Sequence, residues 1–592
     1  MSAERLAGAR AGGPEEAAPG VWGSDAVADA LRALALPYVC LVPGASFRGL
    51  HDSVVNHLGN RLPQMLLCLH EEHAVAIAHG WAKVTGRPLG AIVHANVGLM
   101  HATMAIFDAW CDRMPVIVLG ATGPLDETKR RPWVDWIHTA RDQGALVRNY
   151  VKWDDQPCSV GAAQESVMRA AQIAATPPHG PVYVCLDAGL QETRLDTPAR
   201  PPDVERFRPP APAQPATDLV ARAAEWLGTA ARPLMLMGRV SRAEDAWRDR
   251  IALAEHFGAA VLTDPRVGAA FPTDHPLHGP ASGLFLSPEA AAALKSADVV
   301  LSLDWLDLSG TLHHAWGAEE IGARVIQVST DQVLHNGWSM DYQRLAPADL
   351  YLLCQPEAAV PPLLAAARAR GAPADPRRAA PRAAEVAEPG SGPITVARLA
   401  GALRRAAGTQ PVSLLRVPTG WPIGVWHFRH PLDYIGYDGG GGIGSGPGIA
   451  VGAALALRGT GRLPVAVLGD GDYLMGLSAL WTAANARIPV LVVVTNNNSY
   501  LNDEIHQERV AKERGRPVEN RWIGQRIADP APDLAALARG LGIEAVGPVE
   551  RSEQLAAALT EAVAAVREGA ACVVDVRVTG SYAWTVSRAL TR

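Results

Sequence analysis

Two short stretches of this 592-residue chain carry residue types that suit a metal-bound phosphate. "LPVAVLGD" ends one apolar run at Asp470, and "PVLVVVTNN" ends the next at Asn497. Between them, "LMGLSALWTAANAR" sets apolar residues at 474, 477, 480, 481 and 484, the spacing of one helical face. The segment reads as one strand–helix–strand unit. A right-handed crossover makes its two strands parallel, so their carboxyl ends share one sheet edge. That edge is where open α/β sheets bind ligands, and there Asp470 and Asn497 converge. A carboxylate and an amide carbonyl are hard oxygen donors that suit Mg²⁺, with water and substrate phosphates completing the shell. Turn chemistry would explain GDG or NNN taken singly. Their placement on one unit favours a metal–phosphate site.

Upstream, "DGGGGIGSGPGIAVGAALAL" (438–457) runs from glycines into an Ala-rich helix. Glycines let backbone N–H groups approach a phosphate, and a helix N-terminus favours negative charge. The run precedes the Asp470 strand by one helix, as a diphosphate cradle requires. No GxxxxGK[ST] is present, so a Walker-type nucleotide site is not supported.

Such residues need sheets to position them, and β-branched runs alternate with amphipathic stretches along the whole chain. "LGAIVHAN", "MPVIVLGA" and "GPVYVCLDA" read as buried strands, as do "RPLMLMG", "ADVVLSLD" and "ARVIQVST" further on. Near-continuous apolar strands between helices imply parallel sheets covered on both faces. The expected fold class is α/β, with three doubly wound parallel-sheet domains. Pro- and Arg-rich segments at 197–215 and 369–393 read as linkers. They leave domains at 21–196, 216–368 and 394–592 behind a flexible tail, 1–20.

The chain is 48% hydrophobic and 19% charged, with a formal net charge of −6. Without a basic excess, no nucleic-acid partner is expected. No apolar stretch has the length of a membrane span. Seven scattered cysteines without a CxxC pair argue against a disulfide framework or zinc site. The N-terminus lacks a secretory pattern, and a cytoplasmic location is expected.

"GDGDYLMGLSALWTAANARIPVLVVVTNNNSY", the glycine run, "HEEHAVAIAHGWAKVTG", "GPVYVCLD", "RPLMLMGR" and "AAFPTDHPLHG" together resemble one family. It is the thiamine-diphosphate-dependent superfamily of acetolactate synthase, benzoylformate decarboxylase and pyruvate decarboxylase. The resemblance covers nearly the whole chain after residue 20. It implies a pyrimidine-binding, a central and a diphosphate-binding domain. It assigns Asp470, Asn497 and the Ser499 backbone carbonyl to Mg²⁺, and Gly469 and Gly471 to the diphosphate. Gly441 would offer a carbonyl to the 4′-amino group, and Ile443 would bend the cofactor into its V shape. Glu71, rather than Glu72, would face the pyrimidine N1′ and shuttle the activating proton. Glu72 and His73 are expected as surface helix residues. In this family the cofactor bridges two subunits, so a homodimer is the minimum unit and a homotetramer is expected.

The reaction is less specified. "AIVHANVGLMHATMAIFDAW" places His94 where benzoylformate decarboxylases carry a proton-transfer histidine, and His101 reads as structural. In "PGASFRGLHD" the position of that branch's pocket serine is Ala45, with Ser46 beside it. Asp503 and His506 fall at pocket-facing positions of a charged segment after Tyr500, which speaks for a polar substrate. His138 and Thr139 stand where acetolactate synthases carry Phe-Gln. The expectation is a 2-oxoacid decarboxylase. The alternatives are an acetolactate-synthase-like carboligase and, more remotely, a catalytically silent cofactor-binding relative. FAD is not expected, and the glycine run does not give GxGxxG in a strand-turn-helix with a following acidic residue at the right distance, so a dinucleotide site is not supported.

Overall fold

The computed structural model describes residues 21–200, 202–280, 285–333, 344–371, 392–418 and 421–579. The expected tail (1–20) and most of the expected linker at 369–393 lie outside the described residues.

Three parallel sheets follow one another along the chain. The first holds β1 (Tyr38–Leu41), β2 (Gln64–Leu67), β3 (Leu89–Ile92), β4 (Val116–Thr122), β5 (Asp154–Asp155) and β6 (Val182–Asp187). Its order is β2-β1-β3-β4-β6-β5. The central sheet holds β7 (Pro233–Met237), β8 (Ala260–Thr263), β9 (Val299–Leu303), β10 (Arg324–Val328) and β11 (Leu350–Leu352), in the order β11-β10-β9-β7-β8. The third holds β12 (Val412–Arg416), β13 (Leu463–Gly469), β14 (Val490–Asn496), β15 (Glu544–Val549) and β16 (Ala571–Arg577), in the order β12-β13-β14-β16-β15. Every position of β4 and of β14 is buried, as strands covered on both faces must be. The expected α/β class with three doubly wound domains is what the chain adopts.

Six helices frame the candidate site: α1 (Glu71–Thr85), α2 (Ala95–Cys111), α3 (Gly446–Ala456), α4 (Asp470–Gly476), α5 (Ala479–Asn485) and α6 (Leu501–Glu513). Helix α1 of the first domain packs on α3 of the third, and one apolar core runs through both, including Val75, Ile77, Ile449 and Val451. The crossing depends on missing side chains. A Cβ on Gly80 would overlap the Ile449 carbonyl oxygen, and one on Gly452 the Ile77 carbonyl oxygen. Mid-helix glycine costs about 0.5–1 kcal/mol against alanine, which this close packing offsets. Gly452→Val is therefore expected to lower stability by at least ~1–3 kcal/mol. Urea denaturation checks this against Gly161→Ala, an exposed position with open space around it, which should be near neutral.

Strands β13 and β14 are neighbours in parallel register, Leu468 opposite Val494 and Gly469 opposite Thr495. The single helix expected between them is instead two, α4 and α5. Gly476 lies so close to the Gly444 carbonyl that a Cβ would overlap it. Just beyond, Ser478 Oγ lies 3.1 Å from His73 Nδ1 of α1. Contacts to the glycine run and to the first domain break the helix there.

Among the described residues, no helix is long and apolar enough to cross a membrane. All seven cysteines are free.

Candidate active site

Asp470 is the first residue of α4 and is buried. Its Oδ2 accepts the backbone N–H of Asn497 at 3.1 Å and of Ser499 at 3.2 Å. Its Oδ1 accepts the N–H of Gly471 at 2.9 Å. Burial pushes the carboxyl above its ordinary value, and these backbone donors oppose that shift. The NNN turn divides its labour. Asn496 Nδ2 donates to Asp575 Oδ1 at 2.9 Å, and Asn496 Oδ1 accepts the Asn498 N–H at 3.1 Å. Asn498 adopts φ +56°, which asparagine tolerates, and its side-chain oxygen bonds Arg577. The side-chain oxygen of Asn497 is buried with no hydrogen-bond partner.

A buried acceptor without a partner costs about 1–3 kcal/mol. One that lies beside a buried carboxylate suits a cation, which would satisfy both. Among the described residues, no three His, Cys, Asp or Glu side chains gather as a metal cage. A cation here must draw further oxygens from a ligand and water, as Mg²⁺ on a diphosphate does. The residues present therefore fit Mg²⁺ and a diphosphate.

Around this pair, Ser499 Oγ donates to Glu504 Oε2 of α6 at 2.8 Å. The Tyr500 ring lies against Gly471, so a Cβ there would sit 2.5 Å from the ring. Among the described residues, nothing beyond the adjoining chain lies within 4 Å of a Cβ built on Gly469 or Gly441. Ile443 is exposed.

The glycine run is held by carboxylates that sequence reasoning missed. Asp108 Oδ1 of α2 accepts the Gly440 N–H at 3.0 Å. Asp472 Oδ1 accepts the N–H of Gly444 at 2.7 Å and of Gly446 at 3.2 Å. Gly444 has φ +107°, a conformation that favours glycine. Arg416, at the end of β12, lies 2.7 Å from Asp438 and 3.7 Å from Asp472, joining both ends of the run. Burial, then the neighbouring Asp438 and Asp112, pushes the Asp108 carboxyl up to about 8. The one available signal was the second aspartate of "GDGD".

In the first domain, Glu71 opens α1 and is buried. Its Oε2 lies 3.0 Å from His101 Nδ1, and Gly98 packs against the carboxylate. His101, expected as structural, is thus the carboxylate's hydrogen-bond partner. His73, expected on the surface, is buried, and burial followed by His70 lowers it to about 4. Glu72 is half-buried and raised by burial and Asp472. The α1–α3 packing covers the helix face that the sequence alone left open.

His94 caps α2, with its Nδ1 2.9 Å from Ser46 Oγ. Ser46 Oγ also accepts the Ala95 N–H at 3.2 Å. Ser46, rather than Ala45, presents the hydroxyl here. The His138 ring lies 4.7 Å from that of His94. Burial lowers His94, His138 lowers it further, and Glu71 opposes both. On α6, Asp503 is exposed and His506 half-buried. Among the described residues, no hydrogen bond or ion pair joins either to Ser46 or His94, or Glu71 to Asp470. The structure thus brings together three groups: Asp470 with Asn497, Ser499 and Gly471; Glu71 with His101; and His94 with Ser46.

Three family models match. They are the N-terminal TPP binding domain of thiamine pyrophosphate enzymes at residues 21–146, their central domain at 220–337, and their C-terminal TPP binding domain at 418–576. A benzoylformate decarboxylase of Pseudomonas aeruginosa is 26% identical over 85% of this chain and 90% of its own length. A probable chloroplastic acetolactate synthase of Oryza sativa subsp. japonica is 24% identical over 92% of this chain and 81% of its own. The solved thiamine diphosphate-dependent 4-hydroxybenzoylformate decarboxylase of Rhodococcus jostii superposes with a TM-score of 0.76 at 23% identity. That match covers 95% of this chain and all of the other.

Proposed function

The chain belongs to the family of thiamine pyrophosphate enzymes, and we propose that it is a Mg²⁺-dependent decarboxylase of a 2-oxoacid. The observation that carries the reaction is the Ser46–His94 pair. The bound cofactor, thiamine diphosphate, supplies a nucleophilic carbon and an electron sink for the substrate's carbonyl carbon. Asp470, Asn497 and the Ser499 carbonyl would hold Mg²⁺, and the backbone at Gly469 and Gly471 would meet the diphosphate. Gly441 and Ile443 would support the rings, and Glu71 would serve the pyrimidine nitrogen.

His94 moves the proton at the substrate. Ser46 Oγ already accepts from Ala95, so its O–H is free to donate to His94 Nδ1. That leaves the proton on Nε2, available to the pocket. Because His94 is lowered from 6.5, it stays neutral through neutral pH. Activity that needs the neutral imidazole is lost only as pH falls through that lowered value, so the acid limb should lie below pH 6.5. His138, beside it, gives the site polar character suited to a polar acid, and the resemblance would bring Asp503 and His506 of α6 to the same pocket.

Glu71 and Asp470 lie on different domains, and Val97, Met100, Ile443 and Met475 nearby expose apolar side chains. These features support a homodimer as the minimum unit, with a homotetramer as its extension. Seven free thiols suit a reducing, cytoplasmic setting.

A carboligase is the second reading. The polar face of α6 and the acetolactate synthase relative support it. Incubating holoenzyme with a panel of 2-oxoacids, with and without aldehyde acceptors, separates the two by mass spectrometry. Aldehyde alone is the expected product. A ligated product establishes the second reading, and bound cofactor without turnover establishes a silent relative. His94→Ala should lower aldehyde formation by roughly 10²–10⁴-fold with cofactor affinity unchanged.

A further inference from the structure

Residues 438–445 of the glycine run form neither strand nor helix, so side chains must hold their shape. One side chain reaches both ends. Arg416 Nη1 lies 2.7 Å from Asp438 Oδ2, and Nη2 lies 3.7 Å from Asp472 Oδ2. Asp438 opens the run, and Asp472 accepts the N–H groups of Gly444 and Gly446, which close it. The guanidinium also lies 3.8 Å over the Tyr437 ring, a cation–π contact. The three charged side chains are at most 7% exposed and are enclosed by this chain alone. A bulge aims Arg416 there. Leu414 pairs with Val465 of β13, yet Arg416 pairs with Ala466, the next position, so β12 carries an extra residue. Bulges re-aim side chains and gather next to active sites.

We propose that Arg416 is a positioning residue that shapes the glycine run to receive the cofactor's rings, and so separates thiamine diphosphate from a bare diphosphate. This rests on the assignment of Gly441 and Ile443 to those rings. Asp472 sits in the first turn of α4 and is held by the helix. Asp108 holds Gly440 from the first domain, and Arg416 fixes the two ends of the run. A fork that grips Asp438 and Asp472 ties irregular backbone to a fixed helix. Without it the run relaxes. Asp470 and the Asn497 turn, at the diphosphate end, keep their own hydrogen bonds. A guanidinium suits this task because its planar fork reaches two carboxylates, whereas a lysine ammonium is a single point. The rings would then lose a preformed surface, and affinity falls when a loop must be ordered on binding.

The test compares two ligands on the full-length protein with Mg²⁺: thiamine diphosphate and inorganic pyrophosphate, each read by calorimetry. Arg416→Lys keeps the charge but not the fork. It should weaken thiamine diphosphate by about 10- to 100-fold, the usual loss with an outer-shell partner, and leave pyrophosphate affinity unchanged. Hydrogen exchange read by mass spectrometry should quicken in 438–446 and not in α4. Arg416→Met should show a wider split, with thermal unfolding as the check on its fold; if it does not fold, the lysine variant decides. Equal weakening of both ligands overturns the proposal and makes Arg416 merely structural. Unchanged affinity for both overturns it too. So does a loss confined to pyrophosphate, which would make Arg416 a simple attractor of the diphosphate. Wild-type protein that binds no thiamine diphosphate sinks the functional assignment itself, a result distinct from these.

Discussion

Asp470→Ala should abolish tight binding of thiamine diphosphate with Mg²⁺. The carboxylate lies at the end of β13 and accepts backbone N–H groups from Gly471, Asn497 and Ser499. Alanine removes the carboxylate to which Asn497, whose side-chain oxygen has no partner, donates its backbone N–H. Truncating one member of a buried charged interaction costs about 2–5 kcal/mol, a loss of roughly 30- to 4000-fold in affinity. The same change strands the three N–H donors, so the apoprotein should also lose about 1–3 kcal/mol of stability. Calorimetry at fixed Mg²⁺ measures the first effect. The second appears as a lower unfolding temperature that cofactor no longer raises, since only ligand bound to the folded state stabilises it. An affinity close to wild type would remove Asp470 from the metal site.

Glu71→Gln should do the opposite, sparing binding and stopping chemistry. The amide is nearly isosteric and can still hydrogen-bond with His101. It cannot release a proton. Exchange of the cofactor's reactive C–H in deuterated water, read by acid quench and NMR, should fall by roughly 10²–10⁴-fold. The rate of turnover should fall with it while KM changes little, the pattern of an interaction made only along the reaction path. Unchanged exchange would take Glu71 out of the activating machinery. Weakened binding in Asp470→Ala and slowed exchange in Glu71→Gln would show two half-sites with separate tasks.

The two half-sites were not equally legible. Asp470 and Asn497 could be brought together on paper because a parallel strand–helix–strand unit leaves their positions no choice. The sheets were legible for a similar reason: runs such as "PVLVVVT" suit only strands buried on both faces. The clasp on the glycine run was not. Asp108, Arg416 and Asp472 come from three separate elements, and no periodicity links them. The break between α4 and α5 was hidden too, because residues 474–484 keep helical spacing across it. His101 looked like one more helix residue until α2 was laid against α1.

The sequence by itself determined the α/β class, the cofactor family and the edge at which Asp470 meets Asn497. The class and the edge follow from local periodicity and from the fixed hand of a crossover, and the cofactor family from the resemblance of the motifs. Only the tertiary structure decided that Ser46 holds His94, that His101 partners Glu71, and that His73 is buried. The first two depend on how elements of one domain meet, and the third on how closely helices from separate domains approach. That distance is set by side chains that are absent, Gly80 and Gly452 above all, and becomes visible only when the helices are packed.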